Sequence, residues 1–197
     1  MVNLKRTRED ILCSVLELIH HQGFQATGLK ELFAASQTSS GSFYNYFQSK
    51  DELAHALIEF EWEQLKATII SPAVKASDDA IAQVFWIIDQ LEAKHLAEPD
   101  CAGCLLGNLI VDLVERDPSF REQLIKVFDQ WQGAIARSLR MGQSQLQPDV
   151  DPDLLAEELL TLIEGVLLMG RLYDQPERLK RGFNAARRLL KRALIEN

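Results

Sequence analysis

Several short runs in this chain have the residue types and spacing to do chemistry. Cys101-Ala102-Gly103-Cys104 is a C-x-x-C run. As a zinc site it wants two more ligands, and His95 is the near candidate. As a redox pair it wants a thioredoxin-like βαβ setting, and no strand pattern flanks it. As a reactive sensor, Cys104 at a helix N-terminus would have a lowered pKa and more thiolate, helped by Arg171 if close. The remaining reading is a small buried apolar residue. Cys13, beside the apolar stripe of the first helix, is expected in the core. Asp149, Asp151 and Asp153 begin like a calcium loop, but its essential glycine falls on Leu154 and its final glutamate on Leu160. His20, His21, His55 and His95 form no ligand pattern. No nucleophile–base pair, metal cluster or phosphate loop points to catalysis, so neither enzyme activity nor a cofactor is expected.

The run from Ser39 to Lys50 has different chemistry. Ser39-Ser40-Gly41-Ser42 opens a short helix with small polar residues. These let backbone approach phosphate, and helix N-terminal amides bind phosphate directly. Phe43 and Phe47 are four apart and share an inward face, which turns Tyr44 outward. Tyr46 and Lys50 follow, and Lys50 offers a phosphate contact. Tyr44 and Tyr46 could instead merely cover the surface, Ser40 and Ser42 could merely cap, and Lys30 could be a solvated charge.

Helix signals run nearly the whole length and position these groups. Thr7 caps a first helix, with Asp10 placed for a capping box and Gly23 as the stop. Thr27 is the expected cap of a second helix reaching Ala35. The turn Ser36-Gln37-Thr38 leads to the third, capped by Ser39. Two short helices joined by so short a turn form a helix-turn-helix. Ser49 caps a long helix expected to stop near Ile70, before Pro72. Further helices are expected over about 77–95, 102–115, 117–141, 151–173 and 176–195, with Asp117-Pro118 and Asp151-Pro152 as start signals. The expected fold is all-α with about nine helices: a three-helix head carrying the helix-turn-helix over 1–50, then a helical body over 51–197.

Composition permits this. The 197 residues are 47% hydrophobic and 25% charged, ordinary for a globular chain. Residues 1–50 carry Lys5, Arg6, Arg8, Lys30 and Lys50 against Glu9, Asp10, Glu17 and Glu31. The acidic excess behind the net charge of −8 therefore lies in the body. An acidic body repels DNA and limits non-specific binding. No apolar stretch reaches membrane-spanning length, and no apolar segment follows the basic N-terminus, so no membrane and a cytoplasmic location are expected.

Phe24, Thr27, Gly41-Ser42-Phe43-Tyr44-Asn45-Tyr46-Phe47 and Ser49-Lys50-Asp51-Glu52-Leu53 resemble the DNA-binding signature of the TetR family of repressors over about residues 7–55. The turn departs from it: the family's Ala-Gly-Val is here Ser36-Gln37-Thr38, so Gln37 stands where glycine usually takes a positive φ. The resemblance implies contacts to double-stranded operator DNA at Lys30, Ser40, Gly41, Ser42, Tyr44, Tyr46 and Lys50, with Thr27, Ser39 and Asn45 completing the expected set. It implies a homodimer through the last two helices, for which Leu159, Leu162, Ile163, Val166, Leu167, Phe183, Leu190 and Leu194 are candidates. Gly165 and Gly170 would let helices approach closely there. It also implies a small-molecule inducer. Trp62, Phe85, Trp86, Cys104, Leu105, Phe128, Trp131, Met169 and Tyr173 are the candidate lining, each also readable as core. The stretch Gly103–Leu109 resembles a subgroup that includes electrophile-responsive repressors. The rival reading is a helical carrier or enzyme without DNA function.

Overall fold

The computed structural model describes residues 6–98 and 100–195. Lys5, counted above among the basic residues of the head, lies outside them. The elements are α1 (Arg8–Gln22), α2 (Leu29–Ser36), α3 (Ser40–Tyr44), α4 (Lys50–Leu65), a π turn (Lys66–Ile70), α5 (Ser71–Ala76), α6 (Ala80–Ala97), α7 (Leu105–Leu113), α8 (Pro118–Met141), α9 (Pro152–Tyr173) and α10 (Pro176–Arg192). With α4, the π turn and α5 taken as one rod, the described residues form the nine expected helices. The strand-like pairing among them is an isolated bridge between Leu146 and Leu194.

Most starts follow the sequence signals. Thr7 and Asp10 form the capping box of α1, and Ser39, Ser49, Asp117 and Asp151 cap α3, α4, α8 and α9. Five boundaries differ. Gly28, not Thr27, caps α2; the Glu31 carboxylate accepts its N–H. The long rod does not stop before Pro72. The Ser71 N–H reaches back five residues to the Lys66 carbonyl, and this widened turn admits the proline, which lacks an N–H, at the start of α5. Asp79 caps α6, so that helix starts later than Ser77. Gly103, at φ 78°, delays α7 to Leu105, with Cys104 as its cap. α10 ends at Arg192, short of the expected Ile195.

One continuous core joins head and body. In the head, Phe24, Phe43 and Phe47 are fully buried beside Ile11, Val15 and Leu32. In the body, Trp131, Phe120 and Phe183 are fully buried, with Trp62 almost so. α9 packs on α8 and α10, and Gly182 brings α10 close, since a Cβ there would lie 2.5 Å from Val166. Gly170 also allows close approach, to Cys101 and Leu179, whereas Gly165 faces open space within the protomer.

Candidate nucleic-acid interface and the body behind it

The head presents one exposed polar ridge. Ser39 accepts the Ser42 N–H, which fixes the start of α3. Ser39, Ser40, Gly41, Tyr44 and Asn45 are exposed and Ser42 is partly so. The Tyr44 ring rests edge-on against Phe33 and Phe43 and stays 41% exposed, so its hydroxyl is free to reach outward. Lys30 on α2 is exposed. Gln37 holds the turn at φ 52°, ψ 40°, the left-handed conformation that a glycine would adopt without cost. The energetic penalty is roughly 1–2 kcal/mol. The Ser36 and Thr38 hydroxyls share a 2.8 Å hydrogen bond that stiffens the same turn.

Three expected contact residues are engaged within the protein. Thr27 is fully buried and its hydroxyl donates to the Gly23 carbonyl, so its side chain is a turn lock and lies off the exposed ridge. The Tyr46 hydroxyl donates to the Arg6 carbonyl. Lys50 donates to the Phe24 carbonyl at 2.6 Å and lies over the Phe24 ring, and burial pulls its pKa down. An ammonium has three donors, so this bond leaves donors for phosphate.

The head is tied to the body by contacts that sequence reasoning missed. His20 at the end of α1 bonds the Gly103 carbonyl at 2.7 Å, just ahead of α7. Burial lowers the His20 pKa despite that carbonyl. At the other end of α7, Asp112 accepts the Phe24 N–H at 2.7 Å and its carbonyl accepts from Gln25. Within the body, one residue past the head, Asp51 pairs with Arg116 at 2.7 Å. Helix α7 is thus held to the head at both ends. These partners are more than 60 residues apart in sequence, so no local pattern signals them.

The body corrects the expected pocket and interface. Trp62 and Trp131 are buried with ring centroids 6.4 Å apart, and Phe128 stacks on Trp131 at 5.9 Å. These are core contacts. Leu105 is buried, and Phe85 and Trp86 pack partly buried against the core. Met169 and Tyr173 point away from the bundle interior, because the inward stripe of α9 is Leu159, Ile163 and Leu167, and they line the open α9–α10 groove instead of an internal cavity. Those three, with Phe183 and Leu190, are satisfied within the protomer and leave no surface for a partner; this overturns their expected interface role. Leu162, Val166 and Leu194 are partly exposed. The open apolar face of α9 is Leu154, Leu168, Met169, Leu172 and Tyr173. Beside it runs a groove of about 860 Å³ between α9 and α10, with Glu157 and Glu158 toward one end and Arg178 and Arg181 toward the other.

The cysteines also differ from expectation. Cys13 is exposed, two positions from both Ile11 and Val15 and so turned away from their stripe. Cys104 does cap a helix, accepting the Gly107 N–H at 3.4 Å. Its thiol is nevertheless pushed well above the ordinary cysteine value, by burial first and by the Glu164 carboxylate second. Desolvation and a like charge outweigh the helix end, so the expected thiolate is not favoured. Arg171 turns instead toward the His21 carbonyl.

Residues 11–57 match the family described as bacterial regulatory proteins, tetR family, and residues 80–186 match the tetracyclin repressor-like C-terminal domain. The transcriptional regulator AcuR of Cereibacter sphaeroides is 29% identical over 172 residues, covering 86% of this chain and 78% of that protein. The transcriptional repressor NemR of Escherichia coli is 40% identical over 120 residues, covering 61% of this chain and 60% of that protein. The crystal structure of a regulatory protein TetR from Rhodobacter sphaeroides superposes with a TM-score of 0.83 at 29% identity, over 95% of this chain and 98% of that one. With both its head and most of its body matched, the chain belongs to the TetR family of transcriptional regulators.

Proposed function

We propose that the protein is a cytoplasmic repressor that binds a palindromic operator as a homodimer and releases it when a small molecule binds the body. The observation that carries this is the exposed ridge Ser39–Asn45, a capped helix start with an outward tyrosine, set on a rigid aromatic core. Such a helix enters the major groove with its N-terminal residues at the base edges. Ser40, Gly41, Ser42, Tyr44 and Asn45 form the contact edge, with Ser39, Lys30 and a phosphate contact from Lys50 at its rim. Residues 1–50 act as the gripping unit and 51–197 as the responding one.

The partner surface is the outward face of α9 with the α9–α10 groove, which replaces the buried leucines expected from sequence. A two-fold axis there would bring the acidic end of one groove to the basic end of the other, a self-complementary pattern. Release follows from the ties described above. The α4–π–α5 rod runs from head to body, and α7 holds α1, Phe24 and Gln25. A ligand that prefers a body with α7 displaced moves the head, provided its preference is a few kcal/mol.

Selection of bound DNA from a random pool tests the regulator reading. A palindrome should be enriched, and Tyr44→Ala should weaken its binding about tenfold or more, the scale of one lost base or phosphate contact. Failure to enrich any palindrome would refute the reading. The absence of a nucleophile–base arrangement at this ridge leaves the carrier or enzyme alternative without a supporting observation.

A further inference from the structure

A second cleft lies beside α7. It measures about 210 Å³ and is lined by Cys104, Gly107, Asn108, Ile110, Val111, Glu164, Gly165 and Leu168. Its walls are mainly apolar, and Glu164 from α9 supplies its carboxylate. Glu164 Oε1 is buried and has no hydrogen-bond partner among the described residues. The thiol of Cys104 is the side chain that acts on this carboxyl, and no lysine or arginine does. Of the neighbouring charges, Glu61 on α4 and Lys94 on α6, themselves paired at 2.7 Å, both act on the thiol, and Arg171 further along α9 goes to the His21 carbonyl. Room for the carboxyl is made by Gly107, where a Cβ would lie 2.5 Å from Glu164 Oε2. Any side chain at 107 would push Glu164 out. A buried carboxyl without a cation is costly, and such a group ordinarily has a partner or a use.

We infer that this cleft is a binding site for a small organic cation, a primary ammonium on a short apolar body, with Glu164 as its anchor. The ammonium donates to the orphaned Oε1 and neutralises the carboxylate. The apolar body lies against Ile110 and Val111. Glu164 is held up to about 7 chiefly by burial, so the site takes its cation best above that pH, where the carboxylate is ionised. The cleft borders the helix that holds the head, which would make its occupant an effector. That consequence rests on the ligand-responsive reading proposed above, but binding itself does not.

The test uses the full chain labelled with ¹⁵N and titrated with n-butylammonium chloride, with n-butanol as the neutral isostere. At about pH 8 the ammonium should shift the Gly107, Asn108 and Gly165 amides saturably, about tenfold more tightly than the alcohol, as expected for one charge-assisted hydrogen bond. Affinity should fall on going to about pH 6, as Glu164 takes up its proton. Glu164→Gln, an uncharged isostere that preserves packing, should abolish the preference for the cation. Cys104→Ser should keep it. Equal binding of alcohol and ammonium, equal binding by Glu164→Gln, or no saturable shift would each overturn the inference. Operator selection on the same sample separates the two claims, since enriched DNA with no ammonium binding refutes only the cleft.

Discussion

The head and the body solve opposite problems with the same helices. The head keeps the polar groups of its α3 ridge outside, over Phe33, Phe43 and Phe47, and hydrogen-bonds those it buries, as at Thr27 and Ser36. The body buries groups that water would otherwise hold. His95 is 5% exposed with Nδ1 unpartnered among the described residues, and burial drives its pKa down to about 3. Glu164 is driven up to about 7 by the same cause. Cys104 is held protonated. A surface that must meet any operator phosphate benefits from a rigid, solvated edge. A region that must respond to a ligand has to store its sensitivity in groups whose state a small change can alter. The difference teaches where specificity and response reside in this chain.

The comparison breaks most severely through the head core. Phe43→Ala should cost about 3–5 kcal/mol, since a fully buried ring leaves a cavity under α3. Urea denaturation followed by circular dichroism measures it. A cost below about 1 kcal/mol would mean the ridge is not set on a rigid base.

A smaller effect, of opposite sign, belongs to the body. Glu164 has a folded pKa raised above the unfolded value of 4.5, to about 7. Its contribution is therefore fully present below about 4.5 and is lost as pH rises toward 7 and beyond. Glu164→Gln should make the protein more stable than wild type at about pH 8, by on the order of 2–3 kcal/mol, with the gain vanishing near pH 4. His95 runs the other way. Its folded pKa lies below the unfolded 6.5, so its contribution is present above 6.5 and is lost as pH falls. Thermal melts across this range should show a loss of stability on the acid side that His95→Gln reduces. A flat pH profile in both variants would remove the contrast between body and head.

The smallest effect sharpens the turn. Gln37→Gly should stabilise the head by up to about 1 kcal/mol, because glycine adopts the left-handed conformation without a Cβ clash. Equal melting of the variant would show that Gln37 gains back the cost elsewhere.

Legibility divides along the same line. The head was readable because its signals are local: Thr7 to Asp10, Ser39 to Ser42 and Phe43 to Phe47 sit within one helical turn or so. Spacing alone fixes which of these residues face inward. The expected left-handed Gln37 followed from the family pattern at a single position. What failed locally was Thr27, where a cap and a turn lock have the same residue type and only burial separates them. In the body, α9 has apolar residues on every face, so periodicity did not distinguish inward Leu159, Ile163 and Leu167 from outward Leu168, Met169 and Leu172. The ties from Asp112 to Phe24 and from His20 to Gly103 depend on packing across the whole fold. The Cys104 thiol illustrates the limit most clearly. Its helix-end position was legible, but the facing Glu164, supplied by another helix 60 residues away, was not.

The central claim is that two copies of α3, fixed by one dimer, read two half-sites about one helical turn apart, on the order of 34–36 Å. Inserting about five base pairs between the half-sites of the selected operator rotates one of them to the opposite face of the duplex. The account predicts that affinity then falls to the non-specific level and returns in part when a full turn is inserted. Affinity indifferent to that spacing would contradict it.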